Sequence, residues 1–172
     1  MSIFRTMFPS DYIESFYDYD FESAYKDGRR LILFDIDNTM VPHGAPPDER
    51  CMKRVAELKA LGYTLCAVSN NKEPRVKSFC EPMGLSYIYK ADKPSIRGYE
   101  EAMRLNGAKR DETIFFGDQI FTDIIGARRA GIYSVLVKPI DLSTDEIQIK
   151  LKRILEKPVI MAFFREKSIA IR

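Results

Sequence analysis

Apolar positions follow two rhythms along this chain. Five short stretches are nearly continuously apolar, β-branched or aromatic: RLILFDI at 30–36, YTLCAVS at 63–69, SYIYK at 86–90, TIFFG at 113–117 and YSVLV at 133–137. Runs this short, without alternation, predict strands covered on both faces. Between them, apolar residues recur at helical spacing. Cys51, Val55 and Leu58 share one face of 48–61, with Pro47 and Asp48 as start signals and Gly62 as the stop. Ile96, Tyr99 and Met103 do the same in 95–106, and Ile120, Ile124 and Ala127 in 120–130. Residues 72–83 read as a weaker helix with Pro74 in its first turn, and Ile147, Leu151 and Ile154 mark a last helix after Ser143 or Thr144. Strand and helix alternating in this way predict right-handed β-α-β units and an α/β fold with a mainly parallel sheet of about five strands.

Composition adds limits rather than detail. A chain of 172 residues without repeat, linker or low-complexity segment predicts one domain. Within it, 1–28 read as an aromatic N-terminal extension, 29–140 as the core, and 141–172 as a helix with a basic, apolar tail. The longest apolar runs fall far short of the roughly 20 residues that span a bilayer. No basic-then-apolar leader is visible, so a cytoplasmic protein is expected. A net charge of +2 predicts no bulk affinity for nucleic acid. Cys51, Cys66 and Cys80 form no metal-spaced cluster and read as reduced packing residues.

In an open parallel sheet, ligands sit outside the carboxyl ends of the strands, so the residues that end the strands carry the chemistry. The first strand ends in Asp35 and Asp37. Alternation points both the same way, and like charges so close call for a cation or a shared proton. A hard, oxygen-seeking Mg²⁺ satisfies that demand. The second strand ends in Ser69-Asn70-Asn71, a hydroxyl and amides suited to phosphate oxygens. Lys90 and Lys93-Pro94 follow the third strand. Gly117-Asp118 ends the fourth, with Asp123 five residues on. Any one of these alone reads as a turn former, a helix cap or a surface lysine. Acid pair, hydroxyl, lysine and acid pair in order do not.

That order resembles the haloacid dehalogenase-like phosphatases: hhhhDxDxT at 31–39, hhhS at 66–69, a lysine before a helix at Lys93, and GDxxxxD at 117–123. DIDNTMVP, VSNN, YKADKP and GDQIFTDIIGARRAG resemble more narrowly the YqeG-type branch of subfamily IIIA, related to phosphatidylglycerophosphate phosphatases. The resemblance implies a three-layer α/β/α Rossmann-like fold. It also implies Asp35 as a nucleophile forming an aspartyl-phosphate, Asp37 as general acid and base, and Thr39 orienting Asp37. Ser69, Asn70 and Lys93 would hold the phosphate. Asp35, Asp118 and the backbone carbonyl of Asp37 would hold Mg²⁺. Asp123 would stand outside the metal's ligands, steadying Lys93 or a metal-bound water. His43, the only histidine, reads as a loop residue in a proline-rich turn, with a substrate contact at the rim as the alternative.

About 30 residues separate Thr39 from Ser69, and a helix and a strand fill most of them. No room remains for a cap domain, so an open site is expected, closed by nothing or by a second copy of the chain. Eight of the 20 aromatic residues fall in 1–25, where the net charge is −4, whereas 150–172 carries +5 around VIMAFF at 159–164. Such ends suit a peripheral membrane contact, or packing on the domain, or a dimer contact. Three readings compete: a Mg²⁺ phosphatase of a lipid head group, a Mg²⁺ phosphatase of a soluble sugar, nucleotide or protein phosphate, and an inactive phosphate-binding or assembly module. The filled catalytic positions argue against the third.

Overall fold

The structure, a computed structural model, describes residues 4–143 and 147–170, so the start signal proposed at Thr144 lies outside the described residues. Its strands are β1 (Asp11–Ile13), β2 (Leu31–Phe34), β3 (Thr64–Val68), β4 (Ser86–Ile88), β5 (Thr113–Gly117) and β6 (Tyr133–Val137). Every pair is parallel, in the order β1-β6-β5-β2-β3-β4. The helices are α1 (Phe21–Lys26), α2 (Glu49–Leu61), α3 (Glu73–Cys80), α4 (Arg97–Leu105), α5 (Ile125–Arg129) and α6 (Ile147–Ala170). α2 starts where Asp48 accepts a hydrogen bond from the Cys51 N–H at 2.7 Å, and it stops at Gly62 with φ 107°.

Period-two alternation sorts the strands onto two faces. Ile32, Phe34, Leu65, Ala67, Ile114 and Phe116 pack against α2 and α3 through Cys51, Val55, Leu58, Val76 and Phe79. Leu31, Leu33, Cys66, Val68 and Phe115 face α4 and α5 through Tyr99, Ala102, Met103 and Ala127. These are the three layers of the expected fold. Only α2 lies between β2 and β3, and only α3 with one 3₁₀ turn between β3 and β4, so no cap is inserted.

The sheet has one strand more than expected. Residues 11–13 are too short and too polar at their edges to announce a strand, yet they pair with Val135, Leu136 and Val137 of β6. Phe16 and Phe21 then enter the core beside Phe116, with ring centroids 5.0 and 5.4 Å away. Most N-terminal aromatics therefore pack, one of the alternatives the sequence left open. Residues 120–130, read as one helix, instead begin with a π-helical turn at Ile120–Ile124 before α5. Among the described residues, no helix is long and apolar enough to cross a membrane.

Candidate active site

β2 lies at the switch point of the sheet, flanked by β5 on one side and β3 on the other. The ends of these three strands open onto a cleft of about 260 Å³ lined by Asp35, Asp37, Ser69, Asn70, Lys93 and Asp123, among others. This is where a parallel sheet with this order binds its ligand.

Asp35 continues β2, its N–H donating to the Phe116 carbonyl at 2.9 Å. Lys93 bridges two carboxylates, with Nζ 2.6 Å from Asp35 Oδ1 and 2.6 Å from Asp123 Oδ1. Asp123 reaches this point because residue 117 is glycine, where an added Cβ would stand 2.5 Å from the Asp123 Cβ. Asp35, Asp118 and Asp123 each bring a carboxylate oxygen to within 4.8 Å of the others. Thr39 Oγ1 lies 3.4 Å from Asp118 Oδ1, and Arg153 of α6 donates to Asp118 Oδ2 at 2.5 Å.

Charge is out of balance here, with three buried carboxylates facing two cations. Burial pushes Asp35 up to about 8, opposed by Lys93 and helped by Asp123 and Asp118. Burial and Asp123 push Asp118 up to about 7 against the pull of Arg153. Burial would lower the Lys93 ammonium, but Asp123 and Asp35 outweigh it and keep it charged. A compact set of hard oxygen donors with surplus negative charge fits a divalent cation such as Mg²⁺.

Asp37 belongs to a different environment. Its Oδ1 accepts from the Gly44 N–H at 2.7 Å and from Arg75 at 2.8 Å, and its Oδ2 from Asn71 Nδ2 at 2.7 Å. The chain reverses directly after it, at Asn38 with φ 62°, a conformation asparagine tolerates better than most residues. That reversal carries the Thr39 hydroxyl towards Asp118, and the partners of the Asp37 carboxylate are Gly44, Arg75 and Asn71.

Ser69 is buried at the end of β3, and its Oγ accepts from the Asn71 N–H at 3.2 Å. The Asn70 side chain ties down the lysine loop, with Oδ1 accepting from the Lys93 N–H at 2.7 Å and Nδ2 donating to the Lys93 carbonyl at 3.1 Å. His43 lines the cleft, as do Gln119, Thr122, Ile149 and Lys152. Arg75, Lys152 and Arg153 have no counterpart in the sequence reading. Arg75 stands in the first turn of α3, just past the strand end that carries Asn71, whereas nothing local connects 152–153 to the strand ends.

Comparisons with known proteins bear on the family and the fold. The family described as haloacid dehalogenase-like hydrolase matches residues 47–137. Over 162 residues the chain is 32% identical to the "probable phosphatase YqeG" of Bacillus subtilis, covering 94% of each. It is 24% identical over 163 residues to "phosphatidylglycerophosphate phosphatase 1, chloroplastic/mitochondrial" of Arabidopsis thaliana, covering 86% of this chain and 45% of that protein. Its fold is similar to the cobalt-bound deoxy-D-mannose-octulosonate 8-phosphate phosphatase of Haemophilus influenzae, with a TM-score of 0.54, 10% identity, and coverage of 80% and 90%.

Proposed function

Because this chain belongs to the haloacid dehalogenase-like hydrolases and is a phosphatase, we propose that it cleaves a phosphomonoester through an aspartyl-phosphate on Asp35. The observation that carries this reading is the division between two neighbouring carboxylates. Asp35 sits in the carboxylate cluster beside Lys93, whereas Asp37 stands apart on Gly44, Asn71 and Arg75. One is placed to attack phosphorus and the other to move protons.

Asp35 attacks the phosphorus, and the bond to the leaving oxygen breaks while Asp37 gives that oxygen its proton. Asp37 then takes a proton from water, the water oxygen attacks phosphorus, and the bond to Asp35 breaks to release inorganic phosphate. Lys93, the Ser69 hydroxyl and the Asn70 backbone N–H stabilise the charge on the transferred group. Asp35, Asp118 and Asp123 would hold the divalent cation, Mg²⁺, which supplies charge neutralisation for the phosphoryl oxygens. The sequence reading placed Asp123 outside the ligands. The cluster supports counting its carboxylate among the candidates, with Asp37 contributing no side-chain oxygen.

For the substrate we favour a phosphate on a lipid head group. Ile149 and Lys152 of α6 line the cleft, and the same helix exposes large apolar side chains. The likeness to a protein named as a phosphatidylglycerophosphate phosphatase supports the same choice.

Replacing Asp35 with Asn tests the chemistry. The variant should keep the fold by circular dichroism and lose hydrolysis of an aryl phosphate by a factor of about 10³ or more, and chelating divalent metal should do the same to the native protein. Activity surviving in Asp35→Asn would move the nucleophile elsewhere.

A further inference from the structure

The loop after β5 carries two of the three clustered carboxylates, Asp118 and Asp123. From outside the sheet, α6 grips this loop with two side chains one helical turn apart. Arg153 donates to Asp118 Oδ2 at 2.5 Å and to the Asp118 carbonyl at 3.3 Å. Glu156 Oε1 accepts from the Phe121 N–H at 2.9 Å, between the two aspartates. Neither side chain reaches the cleft, and both are withdrawn from water: that of Arg153 is 13% exposed and Glu156 only 3%. Below them Val159 and Phe163 pack with Ile120 and Ile124, seating the helix against the same loop.

We propose that Arg153 and Glu156 are positioning residues for the divalent cation, clamping the 118–123 loop so that the carboxylates of Asp118 and Asp123 are held in fixed directions, the latter also through the Gln119 N–H, which donates to Asp123 Oδ2 at 3.1 Å. This rests on the metal reading above and extends it to a helix that supplies no ligand. A carboxylate can give one oxygen to a metal and the other to a guanidinium, and partners of that kind fix the ligand before the metal arrives. The positive charge of Arg153 opposes a cation, so its net effect has a sign to be decided. Positioning should win, because without the clamp the π-helical turn must be ordered at the moment of binding. Loss of such an outer partner typically weakens metal binding by about 10–100-fold.

The experiment titrates Mn²⁺ into the metal-free full-length protein without substrate, counting free ion by electron paramagnetic resonance. Arg153→Ala and Glu156→Ala should each weaken binding by about tenfold or more, with fold checked by circular dichroism. Glu156→Gln, which still accepts from the Phe121 N–H, should stay close to the native protein. If the alanine variants fail to fold, Arg153→Gln, which keeps most of the volume without the charged fork, carries the test and should weaken binding likewise. Arg153 variants binding Mn²⁺ as tightly as the native protein, or more tightly, would make the guanidinium a bystander or a competitor and overturn the proposal. So would Glu156→Gln falling as far as Glu156→Ala. A native protein that binds no Mn²⁺ would remove the metal reading itself, a result distinct from unchanged variants.

Discussion

At the scale of single residues, Asp35 and Asp37 differ in what surrounds them rather than in what they are. Asn38 turns the chain between them and the following hydroxyl, leaving Asp37 on three donors and Asp35 among acids and a lysine. If Asp37 moves protons in both half-reactions, Asp37→Asn should slow overall hydrolysis by about 10²–10⁴-fold. The asparagine can still accept from Gly44 and Arg75, so the site should stay formed. A leaving group that needs little protonation should then restore formation of the phosphoenzyme more than its breakdown. Intact mass after reaction with such a substrate should show an accumulated adduct of one phosphate. Equal loss of both steps, whatever the leaving group, would reduce Asp37 to a structural part. The strand-end residues were legible because a parallel sheet brings successive strand ends together, so adjacency in space follows from order in sequence. The partners that hold them were not. Thr39 sits two residues beyond Asp37 yet serves Asp118, since one left-handed residue redirects it. Arg153 meets Asp118 across 35 positions, a contact that no local pattern announces.

At the scale of elements, α6 shows what periodicity alone conceals. Its apolar residues at 147, 151 and 154 read as a buried face, but Ile147 is 85% exposed, and Leu151, Ile154, Leu155 and Met161 also face outward. The buried side is Arg153, Glu156, Val159 and Phe163, whose polar members mask the signal. β1 stayed hidden for a related reason, since its three residues are each only half-buried and give no apolar run. An outward apolar stripe with Lys150, Lys152 and Lys157 on the same helix suits an anionic bilayer surface. The protein should sediment with anionic vesicles at low salt, and the double substitution Leu151→Ser, Ile154→Ser should lower the bound fraction by roughly tenfold. Truncating the tail from 157 is a poorer test, because Val159 and Phe163 seal the contact with Ile120 and Ile124. Phosphatidylglycerophosphate should also be hydrolysed faster than its water-soluble glycerol analogue. No vesicle binding together with a preference for soluble phosphates would assign the site to a sugar, nucleotide or protein phosphate.

At the scale of the whole molecule, folding gathers carboxylates at the switch point of the sheet, and this costs stability unless a cation joins them. Asp35 and Asp118 are raised to about 8 and about 7 from an ordinary value of 3.8. For an acid raised on folding, the native state holds protons that the unfolded chain has released, so stability falls as pH climbs from about 4 towards 7–8. A divalent cation bound there would replace those protons, and its binding should therefore strengthen over the same range. Stabilisation by a ligand present at a hundred times its dissociation constant is about 2.7 kcal/mol, which for a domain of this size corresponds to roughly 5–10 °C in melting temperature. Thermal melts of the metal-free protein should thus shift downward between pH 5 and pH 8, roughly the window those two groups define, and Mg²⁺ should restore the loss, more at pH 8 than at pH 6. Asp118→Asn removes one of the crowded charges. It should raise the metal-free melting temperature at pH 8 while abolishing most of the Mg²⁺ response. A variant that melts lower without metal and still responds fully to Mg²⁺ would show that Asp118 serves the fold rather than the cation.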